Sequence, residues 1–357
     1  MTGLTSERAG YDQGIVTAVT ARVPAKVNLQ LSVGPLRADG YHDLVTVFHA
    51  VSLFDEVTVT PAERDSVVVT GEGDGSVPLD GDNLALRAVT ALVDTLGPGC
   101  RDAPGVSIEI KKRIPVAAGL AGGSADAAAA LAACNELWGT GLSPQELREV
   151  AAQVGSDVAF ALLGGTAIGL GRGDQVTPAL AAGTYHWVLA FAAAELSTAA
   201  VYAACDRLRA SRSPQPGQVV QRAGPGRPAT AGSPQPETAG SPQTDTAGPP
   251  QLDTALMAAL RSGDPAELGP LLSNDLQPAA LSLLPDLRRG LMAGREHGAL
   301  GAIVSGSGPT CAFLARDERH ARDLAVALAG AGVCRMVARV VGPAPGATVI
   351  GVAAEKL

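Results

Sequence analysis

Long apolar runs are absent from this chain of 357 residues. None approaches the ~20 residues that a membrane-spanning helix requires, and Met1–Gln13 is polar, without a hydrophobic signal region. A cytoplasmic protein is expected. Cysteine is sparse and irregularly placed: Cys100, Cys134, Cys205, Cys311 and Cys334 are odd in number and lack Cys-x-x-Cys spacing, which argues against a disulfide framework and against zinc. The five histidines form no His-Glu-x-x-His pair and no cluster, so no transition-metal site built from protein side chains is expected. Neither a Gly-x-x-x-x-Gly-Lys-Ser/Thr loop nor a Gly-x-Gly-x-x-Gly fingerprint occurs, which sets aside the usual P-loop and NAD-type oxidoreductases. Lysine is scarce too. Lys26, Lys111, Lys112 and Lys356 are the only four among 27 basic residues, so a lysine kept here marks a place that needs one. With 35 acidic residues the net charge is −8, which disfavours nucleic acid and anionic membranes as partners.

What is present centres on residues 113–131. Val106-Ser107-Ile108-Glu109-Ile110 alternates as a half-buried strand, and Ala127–Trp138 has the composition of a buried helix closed by Gly139. Between them lies a small-residue loop. Gly119, Gly122 and Gly123 are free to take positive φ, so that backbone N–H groups converge beside a helix N-terminus, a cradle suited to phosphate. A tight packing turn would use the same glycines.

The order Pro115-x-x-x-Gly119-Leu120-x-Gly122-Gly123-Ser124-Ala125 resembles the ATP loop of the GHMP kinases, which phosphorylate small alcohols such as galactose, homoserine and mevalonate. Pro24-Ala25-Lys26-Val27-Asn28-Leu29 and Arg37-Ala38-Asp39-Gly40-Tyr41-His42 resemble one branch of that family, whose acceptor is a cytidine diphosphate-linked methylerythritol of the non-mevalonate isoprenoid route. Gly155-Ser156-Asp157-Val158 matches the family's catalytic aspartate segment, although an aspartate so placed also suits a helix N-cap. Ser305-Gly306-Ser307-Gly308 matches its third motif, a glycine loop near nucleotide phosphates or substrate.

The resemblance implies an α+β, two-domain GHMP kinase fold: a ribosomal protein S5 domain 2-like N-terminal domain (16–180) and a ferredoxin-like C-terminal domain (185–210 and 253–350). It implies Lys26 and Asp157 as catalytic pair, and ATP, with Mg²⁺, held by Pro115, Val116, Ala117, Ala118, Gly119, Leu120, Ala121, Gly122, Gly123, Ser124 and Ala125. Asn28, Tyr41, His42, Thr198 and Tyr202 would hold the acceptor, with Tyr202 stacking on the base opposite Tyr41 or else packing in the core. The partner is a small molecule, and the enzyme a monomer or homodimer. Asp126 stands where family loops often have Asn, and a carboxylate pointed at the nucleotide would weaken ATP binding.

Around these motifs, Glu56–Thr60 and Asp65–Thr70 read as a β-hairpin, Asn83–Leu96 as a helix, and Ser143-Pro144-Gln145-Glu146 as a capping box opening another. Helices are expected over 253–261, 268–272, 285–297 and 317–329. Residues 1–15 read as a disordered leader. Residues 211–252 read as a flexible low-complexity insertion, with an eight-residue repeat from Ala231 that is too polar to bury a core. A kinase for another alcohol and a catalytically silent nucleotide-binding protein remain as alternatives.

Overall fold

The computed structural model describes residues 15–73, 75–97, 104–212 and 249–355. Residues 1–14 of the expected leader and most of the expected insertion lie outside the described residues, as does Cys100. No described helix is long and apolar enough to cross a membrane.

Two long antiparallel strands, β1 (Ile15–Leu36) and β2 (His42–Ala62), form the spine of the first sheet. In β1 the odd positions Val19, Ala21, Val23, Ala25, Val27 and Leu29 are fully buried, as period-2 alternation dictates. From Val23 onward the other face is covered as well. Lys26, Asn28 and Gln30 are buried there, and Gln30 Nε2 donates to the Gln251 carbonyl at 2.6 Å. Irregularities at Pro24/Ala25 and Asn28/Gln30 bend the ribbon at the segment that carries these polar groups.

The expected 56–70 hairpin does not form. β3 (Ser66–Gly71) pairs in parallel with β4 (Gly105–Lys112), and β4 lies between β2 and β3. A short connection after β2 favours a hairpin locally, but β4 brings the fully buried Val106, Ile108 and Ile110 to the inner position and leaves β3 at the edge. The first half of β2 pairs with β5 (Thr166–Gly171), which pairs with β6 (Gln175–Pro178).

Helix α1 (Leu84–Leu96) is capped by the Asn83 side chain, and α2 (Gly122–Leu137) follows the glycine loop. In α2, Ala125, Ala127–Leu131, Ala133 and Cys134 are all buried, as befits a helix apolar nearly all round. Its alanines let it lie close on the sheet. The capping box forms as expected at the start of α3 (Pro144–Val154), with Ser143 and Glu146 bonded reciprocally, and α4 (Ser156–Leu163) follows at once.

The second sheet has the order β11-β7-β10-β9, from β7 (Tyr185–Phe191), β9 (Gly301–Val304), β10 (Cys311–Ala315) and β11 (Met336–Gly342), all neighbours antiparallel. With α5 (Thr198–Arg212) after its first strand and α10 (Glu318–Gly330) before its last, this is the ferredoxin-like order. Between α5 and β9 come α6 (Thr254–Ser262), α7 (Pro265–Leu268), β8 (Ser273–Asn274), α8 (Gln277–Leu283) and α9 (Asp286–Glu296). The helix expected over 268–272 is instead the end of α7 and a 3₁₀ turn, Gly269–Leu271, because Pro270 supplies no N–H to continue an α-helix. The two sheets are tied through β1. β8 pairs with its Gln30–Leu31, and β12 (Thr348–Glu355) returns along Ile15–Arg22.

Because α2 is packed through alanine, Ala128→Leu is expected to cost about 1–3 kcal/mol by overpacking. The check is a lower urea midpoint at unchanged slope.

Candidate active site

A cleft of about 1110 Å³ opens between the two sheets. One end is made by the glycine loop and α2, where Ala117, Ala118, Gly119, Ala121, Gly122, Gly123 and Ser124 line it. Pro115, Leu120 and Ala125 are buried behind these residues, and Val116 is half-buried outside the lining. The backbone solution differs from expectation. Gly119 takes φ +73°, but Gly122 and Gly123 are already helical, and the left-handed residues are Ala117 (φ 51°) and Ala121 (φ 59°). Strain of this kind is retained where surrounding contacts over-determine the backbone. Ala121 offers no side-chain cap, so the N–H groups of Gly122, Gly123 and Ser124, ahead of the first i→i−4 bond at Ala125, are left for a ligand.

Lys26 stands beside this loop. Its Nζ donates to Asn28 Oδ1 at 2.7 Å and to the Gly119 carbonyl at 2.9 Å, and lies 4.0 Å from Asp157 Oδ2. Burial lowers its pKa from the ordinary lysine value, with the Asp157 charge opposing. Asp157 is in the first turn of α4, with Gly155 at the N-cap position, so it is no N-cap, and it remains partly open to the cleft. Asn28 is oriented in turn by its Nδ2 donating to Thr46 Oγ1 at 2.8 Å.

The third-motif loop closes over the same point. Ser305 Oγ also donates to the Gly119 carbonyl, at 3.1 Å, and Gly306 has a positive φ where a Cβ would come within 3.0 Å of Lys26 Nζ. Gly306 and Ser307 line the cleft, whereas Ser305 and Gly308 pack behind. Ser307 Oγ hydrogen-bonds Thr198 Oγ1 at 3.0 Å.

The other end of the cleft carries Tyr41, His42 and Tyr202. The 37–43 turn is braced by Arg37 on Asp39 (2.7 Å) and Asp43 (2.9 Å), which leaves Tyr41 exposed. His42 is buried. Its Nδ1 faces the Gly34 carbonyl at 2.9 Å and so must carry the hydrogen, which directs Nε2 toward Asp206 at 3.5 Å. Tyr202 lies 5.2 Å from the His42 ring and is held protonated by burial and then by the nearby Asp157 charge. It packs against the second core and also lines the cleft.

Several neighbours were not legible in the motifs. The Arg172 guanidinium sits 4.8 Å from the Tyr41 ring centroid, and Arg87 on α1 lines the glycine-loop end. Behind the loop, Lys112 Nζ donates to Asp55 Oδ2 and to Asp126 Oδ2, both at 2.7 Å, while Asp55 Oδ1 accepts the N–H groups of Arg113 (2.6 Å) and Ile114 (2.8 Å). Asp126 therefore turns away from the cleft and onto Lys112. The scarcity of lysine was the one sequence signal for this cluster.

The fold and the cleft are those of a GHMP kinase. The family model described as "GHMP kinases N terminal domain" matches residues 83–165, and "GHMP kinases C terminal" matches 256–334. The chain is 54% identical over 333 residues to a Mycolicibacterium smegmatis protein named 4-diphosphocytidyl-2-C-methyl-D-erythritol kinase, covering 93% of this chain and 92% of that one. A Thermobifida fusca protein of the same name is 50% identical over 342 residues, 94% of this chain and 99% of that one. A crystal structure of 4-(cytidine 5'-diphospho)-2C-methyl-D-erythritol kinase superposes with TM-score 0.64 at 31% identity, covering 91% and 100% of the two chains. Homoserine kinase from Cytophaga hutchinsonii shares the fold, with TM-score 0.64 at 20% identity over 96% of this chain and 100% of that one. Within the GHMP kinases, this chain belongs to the 4-diphosphocytidyl-2-C-methyl-D-erythritol kinase family, and its phosphate donor is ATP.

A Cβ at Gly119 would lie 2.2 Å from the Ser305 carbonyl oxygen, at a left-handed φ. Gly119→Ala is expected to lower kcat/KM for ATP at least about tenfold, roughly 1.4 kcal/mol of transition-state stabilisation. Steady-state kinetics at varied ATP will check it.

Proposed function

We propose that this enzyme transfers the γ-phosphoryl group of ATP to the 2-hydroxyl of 4-(cytidine 5'-diphospho)-2-C-methyl-D-erythritol, in the non-mevalonate route to isoprenoid precursors. The observation that carries the reading is the Lys26–Asp157 pair, set in one cleft with an uncapped glycine-loop helix and the Tyr41, His42 and Tyr202 rings. The names of the relatives support the acceptor.

Phosphoryl transfer through a loose transition state depends on positioning and on neutralising charge more than on a strong base. The N–H groups of Gly122, Gly123 and Ser124, with the α2 macrodipole, hold the ATP phosphates, and Ser124 adds the only side-chain oxygen among residues 115–125. Asp157 accepts the hydroxyl proton as the new P–O bond forms. Lys26, fixed by Asn28 and the Gly119 carbonyl, aligns Asp157 with the hydroxyl and offsets charge on the moving group. Cytosine stacks against Tyr202 or Tyr41, with the His42 region reading its polar edge, and Arg172 beside Tyr41 offers a cation to the acceptor's diphosphate. Mg²⁺ comes with ATP. Among the described residues no group of three or more carboxylate, histidine or cysteine side chains is placed to hold the ion, so phosphate oxygens and water would make up most of its shell.

Asp157→Asn is expected to lower kcat about 10²–10⁴-fold with little change in ATP affinity, measured on the cytidine-linked acceptor with homoserine and mevalonate as controls. Turnover of a control alcohol in preference to the cytidine-linked one would refute the acceptor assignment. For Arg172→Ala the acceptor KM should rise while the ATP KM holds. Since the Lys26 pKa is lowered, activity should fall with rising pH before an ordinary lysine would titrate, which a kcat–pH profile will show.

A further inference from the structure

The cluster behind the glycine loop holds two carboxylates on one ammonium. Asp55 and Asp126 both meet Lys112 Nζ at 2.7 Å, and all three side chains are at most 4% exposed. With both acids ionised, the cluster is a buried net charge of −1. The second oxygen of Asp55 is occupied, since it accepts two backbone N–H groups, those of Arg113 and Ile114. The second oxygen of Asp126 has no hydrogen-bond partner among the described residues. A proton placed in this cluster therefore goes to Asp126.

The cluster also adjoins the phosphate site. Asp126 is on α2 one turn beyond Gly122, and a Cβ on Gly122 would lie 3.4 Å from Lys112 Nζ. In the free enzyme the positive end of α2 favours the ionised carboxyl. Polyphosphate at the same helix end cancels that field and adds negative charge beside a buried carboxylate. Lys112 from β4 and Asp55 from β2 are the charged groups that act on Asp126, one of each sign.

We propose that Asp126 is a proton-linked positioning residue of the phosphate loop: it takes up a proton when ATP binds, and Asp55 and Lys112 hold the loop backbone and helix start in register as it does so. Burial raises the Asp126 pKa well above the ordinary carboxyl value, with Lys112 opposing and Asp55 reinforcing, the direction that favours proton uptake. The sign follows by linkage. ATP binds better to the protonated form, so affinity falls as pH rises through the Asp126 titration, about tenfold for each unit by which ATP raises that pKa. An asparagine at 126 keeps an oxygen for Lys112 and removes the titration. The inference rests on the assignment of residues 119–124 to the ATP phosphates.

The test is calorimetric titration of wild type and Asp126→Asn with magnesium and ATP, in buffers of different ionisation enthalpy, at mildly acidic to mildly alkaline pH. Proton uptake by ATP's own phosphates and by other side chains is common to both proteins and cancels in the comparison. The expected result is greater proton uptake per ATP in wild type than in the variant, and a steeper loss of ATP affinity with rising pH in wild type. Equal proton uptake in the two proteins, with ATP bound by both, would overturn this inference alone, even if Asp126→Asn lowered the melting temperature. Failure of wild type to bind ATP would overturn the loop assignment and this inference with it.

Discussion

One carbonyl oxygen, that of Gly119, joins the parts of the site. It accepts from Lys26 on the first sheet and from Ser305 on the loop between β9 and β10. The N–H of Thr310 reaches the adjacent Ala118 carbonyl at 3.4 Å. A carbonyl has two lone pairs, and both are used here to bind groups from distant stretches of chain. The glycine at 119 follows from this. Its left-handed backbone aims the carbonyl inward, and the second loop approaches closely enough that no Cβ fits.

Electrostatics are apportioned around that contact. The chain is acidic overall and places few cations in its cleft, yet the ligands of its family are polyanions. What the cleft does offer is backbone: the start of α2 has no side-chain cap, and its dipole points its positive end there. Two of the three described lysines are buried, each against carboxylate: Lys26 facing Asp157 in the cleft, and Lys112 between Asp55 and Asp126 beneath the loop. A compact ammonium with three donors can bridge in this way, where a planar guanidinium would impose its own fork. Left-handed alanines at 117 and 121 show that the loop conformation is held by what surrounds it and not by its own preference.

The motifs were legible because each is short-range. The glycine loop before a buried helix, the Ser143–Glu146 capping box, the paired polar residues Lys26 and Asn28 on one strand face, and the 305–308 turn each depend on residues a few positions apart. Their gathering into one cleft was carried by resemblance and not by periodicity. The two misreadings differ in origin, one long-range and one local. The 56–70 hairpin looked sound until β4, some forty residues later, took the place beside β2, and the 268–272 helix gave way at Pro270.

By itself, then, the sequence determined most of the elements, the Ser143 cap, the motif order and the chemical types at the site, since these follow from local sterics and hydrophobic period. Tertiary structure decided which residues of the loop go left-handed, that Asp126 faces Lys112 and not the nucleotide, that Asp55 anchors the loop, and that Arg172 covers Tyr41. These are set by contacts between residues far apart in the chain, whose energies exceed the small local preferences they override.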